Sequence, residues 1–211
     1  MISSSTTLFY IHDPMCSWCW GFRPVWQQLE SQLKNTIDIV YIVGGLAADS
    51  NSPMPKAMQA SLASTWHQIE RHIAGAKFNH AFWKADSNTF PRRSTYPACR
   101  AILAATAQNS SLELAMIHGI QKAYYLNAKN PSNIDTLISI AQEIGLDPKK
   151  FAYDLISSDT EHQLQQQIKL ARSLSNQGFP SLVLKNETGT HGIKLDYNDS
   201  QPMLQAINKL V

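Results

Sequence analysis

The sequence lacks a concentration of charge and lacks a long apolar run. Its 18 Lys and Arg residues are balanced by 16 Asp and Glu residues, which gives a net charge of +2. This balance argues against a nucleic-acid groove or a polybasic membrane contact, because both need concentrated positive charge. The longest apolar stretches, such as 39–43, are far shorter than the roughly 20 residues of a membrane span. We therefore expect neither a nucleic acid nor a membrane as a partner.

Cysteine is scarce, and the first residues do not resemble an export signal. Residues 1–7 contain no basic start and no apolar run, so they do not indicate a signal peptide, and we expect a cytoplasmic protein. In that compartment three cysteines do not suggest a disulfide scaffold, and a C-x-x-C pair is more often catalytic or metal-binding. The 211 residues, 44% of them hydrophobic, are enough for one large domain or for a core domain with a sizeable insertion.

The hydrophobic pattern predicts an α/β chain in the order βαβ, then a block of helices, then ββα. The runs with strand character are 8–11, 37–43, 181–184 and 190–194. A helix with apolar residues at helical spacing follows 16–19, and another begins near 200. Between them, six amphipathic helices are predicted, two of which should be capped at Ser132 and Ser158. We therefore place the core domain at 1–44 and 178–211 and an inserted all-helical domain at 45–177.

Cys16 and Cys19 form the most informative motif, because a C-x-x-C pair at a helix start brings two sulfurs within bridging reach. The free backbone N–H groups and the dipole of the helix stabilise an anion there. A thiolate in such a place has a lowered pKa. Cys16 is therefore predicted as the exposed nucleophile and Cys19 as the buried partner that resolves the mixed disulfide. Ser17 and Trp18 carry no charge, and they are predicted to tune the pair and to contact substrate.

The stretch from Asp13 to Phe22, DPMCSWCWGF, resembles the active-site segment of the DsbA-like thioredoxin family, and more narrowly of its signal-less, FrnE-type branch. Gly178-Phe179-Pro180 matches the cis-proline loop of that family, and the helical block falls where the family inserts its helical domain. The resemblance implies a thioredoxin-like fold, with Pro180 in cis beside the two cysteines. It also implies that the Phe179 backbone faces a bound extended peptide.

The predicted activity is thiol–disulfide exchange of the protein disulfide isomerase or reductase type, with protein or small-molecule thiols and disulfides as partners. No bound cofactor is required, although glutathione is a possible redox partner. The dipeptide Ser17-Trp18 differs from the Pro-His of the periplasmic oxidant of the family, whose histidine favours the thiolate by charge. A strongly oxidising role is therefore not expected.

Three alternatives remain open. Kappa-class glutathione transferases and 2-hydroxychromene-2-carboxylate isomerases also insert helices in a thioredoxin core, but they typically have serine at the position of Cys16. A chaperone-like peptide binder could use the helical lobe. A zinc site needs about four ligands, whereas the sequence offers one C-x-x-C pair with Cys99 and His12 as single additions, so no metal is expected.

Other residues receive structural predictions. Cys99 is expected to be a buried core cysteine, with a third redox cysteine as the alternative. His12 is expected to have a structural role, although a charge on it would tune Cys16. An apolar collar around the site would consist of Trp18, Trp20, Phe22 and Phe179, with core packing favoured for Trp20 and Phe22. The methionines at 54, 58 and 116 are expected to fill the core, and the histidines at 67, 72 and 80 to be solvated or capping residues.

Overall fold

The computed structural model describes residues 6–84, 92–175 and 177–211. The prediction about an export signal falls largely on residues 1–5, which lie outside the described residues. Within the described ranges the chain forms four strands, eight α-helices and two short 3₁₀ helices. Their bounds are β1 Thr7–His12, α1 Ser17–Leu33, β2 Asp38–Val43, α2 Lys56–His72, a 3₁₀ turn His80–Lys84, α3 Tyr96–Gln108, a 3₁₀ turn Ser110–Leu112, α4 Glu113–Tyr125, α5 Ile134–Glu143, α6 Pro148–Leu155, α7 Ser158–Leu174, β3 Ser181–Asn186, β4 Gly189–Ile193 and α8 Gln201–Asn208.

The four strands form one mixed sheet in the order β2-β1-β3-β4. Strands β1 and β2 are parallel, as a strand–helix–strand unit requires, whereas β3 pairs antiparallel with both β1 and β4. The predicted thioredoxin-like order, βαβ followed by helices and then ββα, is confirmed. Because β1 lies between β2 and β3, the first and last parts of the chain meet at the centre of the sheet.

Alternation along the central strand β1 gives the sheet two apolar faces. Leu8 and Tyr10 point to one face, where α1 and α8 cover them with residues such as Phe22 and Met203. The opposite face is covered by α7. There the buried cluster consists of Ile11, Ile42, Ala171 and Val183.

The helices between the two halves of the sheet build the largest buried cluster, which is centred on aromatic residues including Trp66, Tyr124 and Tyr125. Met15 and Val43, from the ends of the βαβ unit, belong to the same cluster. Helix α7 lies in the range 45–177 that was assigned to the inserted domain, yet it packs on the sheet. The domain bounds therefore stay predictions.

Several local predictions are wrong. Ser132 does not cap α5, whose N-cap is Asn133, because the buried Ser132 hydroxyl accepts from the Ser94 amide and donates to the Ser94 carbonyl. The cap of α7 is Ser157, one residue before the predicted Ser158, and its hydroxyl accepts from an amide in the first turn.

One further residue differs from the sequence-based expectation. Met58 is 42% exposed and does not fill the core, because it lies on the outer side of α2. Pro24 stands at the eighth position of α1. There it leaves the Trp20 carbonyl without its partner four residues ahead.

None of the helices in the described parts of the chain combines the length and apolar character needed to cross a bilayer.

Candidate active site

The two cysteines lie where β1 passes into α1. A tight turn at the end of the strand brings the Cys16 amide to the Asp13 carbonyl at 3.0 Å. Cys16 is then the N-cap of α1, with extended backbone angles and no capping bond from its side chain. Its sulfur is thus free to act as an anion among the N–H groups of the first turn.

The thiols of Cys16 and Cys19 form a hydrogen-bonded pair, and their pKa values are shifted in opposite directions. The Cys19 thiol donates to Cys16, and this bond is the largest cause that lowers the pKa of Cys16, ahead of the N–H groups of Cys19 and Trp18. Burial raises the pKa of Cys19 well above the ordinary value of a thiol. The first cysteine therefore ionises more easily than the second.

Cys16 is less open than expected. It was predicted as an exposed nucleophile, but only 6% of the residue is exposed, while Cys19 is fully buried. Met15 and Ser17 beside it are also buried, so little more than one side of the sulfur is left accessible. A substrate disulfide must therefore approach Cys16 from that side, near the loop that precedes β3.

The loop before β3 supplies the facing backbone. Gly178 has a φ of +85°, which favours glycine, and the Phe179–Pro180 peptide bond is cis. The Cys16 thiol lies 3.5 Å from the Phe179 carbonyl oxygen and donates to it. The sheet thus brings Cys16, Cys19 and Pro180 together although 160 residues separate them, and their catalytic roles stay predictions.

A family model described as thioredoxin matches residues 9–206 of the chain. The chain belongs to the thioredoxin family. Among solved structures, a candidate protein disulfide isomerase from Nitrosomonas europaea superimposes with a TM-score of 0.83 at 24% identity, covering 97% of both chains. The cytosolic disulfide reductase DsbM from Pseudomonas aeruginosa gives 0.77 at 22% identity, covering 97% of this chain and 98% of DsbM. The resemblance to DsbA-like proteins is confirmed at the level of the fold.

Curated relatives carry a different name. The ClpXP adapter protein SpxH from Halalkalibacterium halodurans is 29% identical over 87% of this chain and 60% of the relative. SpxH from Bacillus subtilis is 24% identical over 85% of this chain and 58% of the relative. This member of the thioredoxin family thus spans about 60% of the length of these relatives.

Sequence analysis missed the role of Asp13 beneath the active-site turn. Its fully buried carboxylate accepts from the amides of Met15 at 2.8 Å and Leu46 at 2.7 Å. The Cys99 thiol donates to the same carboxylate at 3.6 Å. Asp13 therefore joins the active-site turn to the segment after β2 and to α3. The signal was an aspartate directly after a buried strand and three residues before the first cysteine.

Cys99 is a fully buried core residue, as expected. Burial raises the pKa of its thiol well above the ordinary value, and the charge of Asp13 raises it further. Such a thiol stays protonated and is a poor nucleophile. Its contact with Asp13 makes it a support of the site.

The dipeptide between the cysteines packs inward. The Ser17 hydroxyl accepts from the Trp66 indole N–H at 2.9 Å, in a buried bond between α1 and α2. Trp18 is partly buried and meets the Tyr197 ring edge-on, with centroids 5.3 Å apart. Contacts of Ser17 and Trp18 with substrate, like that of Phe179, stay predictions.

The apolar collar expected around the cysteines does not contain all four of the aromatic residues predicted for it. Phe22 is fully buried under the sheet and is not part of it. Trp20 stacks on Tyr125, and its N–H donates to the Lys77 carbonyl at 3.0 Å. Trp18, Trp20 and Phe179 are the three of the four that remain partly exposed.

His12 has the structural surroundings expected of it. Burial lowers the pKa of its imidazole to about 3, so the ring is neutral and does not tune Cys16 by charge. It stacks on the ring of Tyr10 with centroids 5.3 Å apart. Neither ring nitrogen has a protein partner, and His12 lines a cavity of about 60 Å³ together with residues that include Tyr41 and Gln121.

A wider cleft of about 300 Å³ lies against Phe179. Its walls come from the end of β2, the last turn of α7 and the loop before β3. They consist of Ile11, Gly44, Gly45, Leu46, Ala171, Arg172, Ser175, Gly178 and Phe179. The cleft lies next to the backbone that faces Cys16.

Proposed function

We propose that this chain is a thiol–disulfide oxidoreductase of the reductase or isomerase type. The observation that carries the proposal is the hydrogen-bonded pair at the start of α1, in which the pKa of Cys16 is lowered and that of Cys19 is raised. This difference provides a nucleophile that is partly ionised and a partner that stays protonated until it is needed. The loop at Phe179 and Pro180 offers backbone groups to the incoming substrate.

The exchange proceeds through a mixed disulfide. The Cys16 thiolate attacks one sulfur of a substrate disulfide, forming a Cys16–substrate bond and releasing the other sulfur as a thiolate that takes a proton. Cys19 then loses its proton and attacks the Cys16 sulfur, which releases the second substrate thiolate. Two electrons have passed to the substrate, and the chain holds a Cys16–Cys19 disulfide.

We propose glutathione as the reductant that restores the pair. Two glutathione molecules reduce the Cys16–Cys19 disulfide and leave as oxidised glutathione, which balances the two electrons. DsbM, whose fold this chain shares, is described in one structure as bound with GSH, at a TM-score of 0.73 and 22% identity. Its name also describes a cytosolic protein, which supports a reducing compartment for this chain.

Trapping tests the proposal. Cys19→Ser should accumulate mixed disulfides on Cys16 with its natural partners, and mass spectrometry of non-reduced complexes identifies them. Cys16→Ser is the matched control, because it keeps Cys19 but loses the nucleophile, and it should trap nothing. Equal trapping by both variants, or no reduction of a model disulfide by glutathione and the unaltered chain, would contradict the proposal.

A Cys19→Ala variant tests the alternative that the chain is a glutathione transferase. Conjugation of glutathione to an electrophilic halobenzene that survives Cys19→Ala, without any disulfide reduction, would assign the chain to the kappa-class type of chemistry instead.

The similarity to SpxH favours a second candidate, an adapter that delivers protein substrates to ClpXP. This activity would depend on a protein-binding surface and not on the sulfurs. Faster degradation of a substrate by purified ClpXP, undiminished in the Cys16→Ser/Cys19→Ser double variant, would support it. No acceleration at saturating amounts of the chain would exclude it.

A further inference from the structure

A compact group of potential metal ligands lies at the end of α2, outside the candidate active site. His67 and Glu70 are three residues apart on the helix and therefore share one face. His80 comes from the 3₁₀ turn that follows. The nitrogen and oxygen atoms that these three side chains offer all lie within 4.8 Å of one another.

The arrangement centres on one carboxylate oxygen. Glu70 Oε2 lies 2.9 Å from His80 Nε2 and 3.5 Å from His67 Nδ1. The two imidazole rings stack with centroids 4.0 Å apart and planes 10° from parallel. Two histidines thus direct a nitrogen to the same carboxylate oxygen.

The ligands are held by the packing around them. Glu70 Oε1 accepts from the Phe78 amide at 3.0 Å, which leaves Oε2 for the histidines. Phe78 stacks on Trp66 with centroids 4.9 Å apart, and the Asn79 amide donates to the Tyr125 carbonyl. The segment before His80 is therefore anchored on both sides. A hydrogen bond to the second oxygen of a ligating carboxylate is the kind of support that metal sites use.

We propose that His67, Glu70 and His80 bind a borderline divalent cation, with Zn²⁺ as the representative ion. Two imidazoles and one carboxylate are a common three-ligand set for zinc, with a fourth position left for water or another donor. Tetrahedral ligands about 2.0–2.1 Å from zinc lie roughly 3.4 Å from one another, close to the spacings from Glu70 to the two histidines. Binding also requires the two rings to rotate out of their parallel stack, because an imidazole coordinates a metal in the plane of its ring.

The charges nearby permit a cation. Arg71 is adjacent to Glu70 in sequence, but neighbours at i and i+1 on a helix do not face each other. Binding would place the metal ion between Glu70 Oε2 and the two imidazole nitrogens. The Trp66 ring lies edge-on to His80 with centroids 5.9 Å apart, and its N–H is bonded to Ser17.

The test uses the full chain with Cys16 and Cys19 oxidised to their disulfide, so that no active-site thiolate competes for metal. Zn²⁺ is titrated by calorimetry, and Co²⁺ by its visible absorption. We expect saturation at about one metal per chain with a Kd in the micromolar range. The cobalt spectrum should lack a thiolate charge-transfer band.

Matched histidine variants locate the site. H67Q is the principal variant, because His67 is 60% exposed and its replacement should leave folding intact. Loss of even an outer partner weakens metal binding about 10- to 100-fold, so H67Q and H80Q should each weaken it at least that much. H72Q, on the same helix, should bind unchanged, because the Nδ1 atom of His72 pairs with the Gln68 carbonyl four residues before it.

Thermal unfolding gives an independent readout, since a metal that binds the folded chain raises its melting temperature. Zn²⁺ should raise the melting temperature of the unaltered chain and of H72Q but not that of H67Q. Absence of saturable binding, or equal weakening by H67Q and H72Q, would overturn the proposal. These outcomes do not depend on disulfide exchange, so the proposal and the proposed function can fail separately.

Discussion

The ionisation of Cys16 depends on the residue three positions further along α1. The Cys19 thiol is the largest cause of the lowered pKa of Cys16, whereas sequence reasoning assigned this effect to the start of the helix. Cys19→Ser keeps a donor at this position and Cys19→Ala removes it. Hydrogen bonds to charged groups contribute about 1.5–3 kcal/mol, so at neutral pH Cys16 in the alanine variant should be alkylated about tenfold more slowly.

Alkylation of Cys16 by iodoacetamide, followed as a function of pH, measures this difference. In the serine variant the rate should reach half its maximum at a pH below about 8.5, which is the pKa of a free thiol. In the alanine variant it should do so at a higher pH. Coincident profiles would show that the backbone N–H groups alone set the ionisation.

Asp13 has the opposite effect on the same sulfur. Its charge raises the pKa of both active-site cysteines, so Asp13→Asn should lower the pKa of Cys16 and make the pair less reducing. The variant also loses one backbone bond, because an amide has a single acceptor oxygen, and its free energy of unfolding should fall by about 1–3 kcal/mol.

Equilibration with glutathione measures the redox effect, and Cys99→Ala is the control. It removes one partner of the carboxylate but leaves the charge in place, so the potential of the pair should stay near that of the unaltered chain. If Asp13→Asn left the potential unchanged, or made the pair more reducing, the charge of Asp13 would have no part in tuning the site.

Between elements, the end of β2 fixes the loop that faces Cys16. Gly44 packs so closely against the Phe179 ring that an added Cβ would lie 1.9 Å from its Cε1 atom. Gly44→Ala should displace this ring, lower the free energy of unfolding by about 1–3 kcal/mol and slow disulfide exchange. Gly192→Ala on β4 meets nothing within 4 Å and should leave both quantities unchanged. Urea unfolding and reduction of a model disulfide measure them, and equal effects of the two changes would contradict the assignment.

The strands and helices were easier to predict than the residues that cap the helix N-termini. Apolar spacing was sufficient for the strands and most helices, because burial of one face dominates their stability. The caps at Ser132 and Ser158 could not be predicted, because neighbouring serines and asparagines compete for the same orphan amides. At α5 the outcome depends on a tertiary partner, because the Ser132 hydroxyl is held in a buried contact with Ser94.

At the scale of the whole molecule, the sequence predicted only those parts of the candidate site whose chemistry depends on residues close together in the chain. The C-x-x-C pair indicated its own reaction, whereas Pro180 could be paired with it only through a family resemblance. The position of Asp13 after a buried strand was visible in the sequence, but its partners Leu46 and Cys99 were not, because the packing of the helices brings them to it. The site thus depends on the contact between the helical block and the sheet.

That contact can be tested on α7, the helix shared by the sheet and the helical block. Ala171 is buried against Ile11 and Ile42, so Ala171→Glu places a carboxylate without a partner on the sheet and should lower the free energy of unfolding by roughly 3 kcal/mol or more. Leu170→Glu is the matched control, because Leu170 is 40% exposed and its replacement should cost at most about 1 kcal/mol.

If sheet and helices unfold together, helical circular dichroism and the protection of buried Cys99 from alkylation should be lost at the same denaturant concentration in each variant. Separate transitions, or equal effects of the two glutamates, would mean that the helical block is stable by itself. In that case the bounds predicted at residues 45 and 177 would describe a true domain. A single transition whose midpoint shifts with Ala171→Glu but not with Leu170→Glu would instead show that α7 is part of the thioredoxin core. The stability of the active-site turn would then depend on the entire chain.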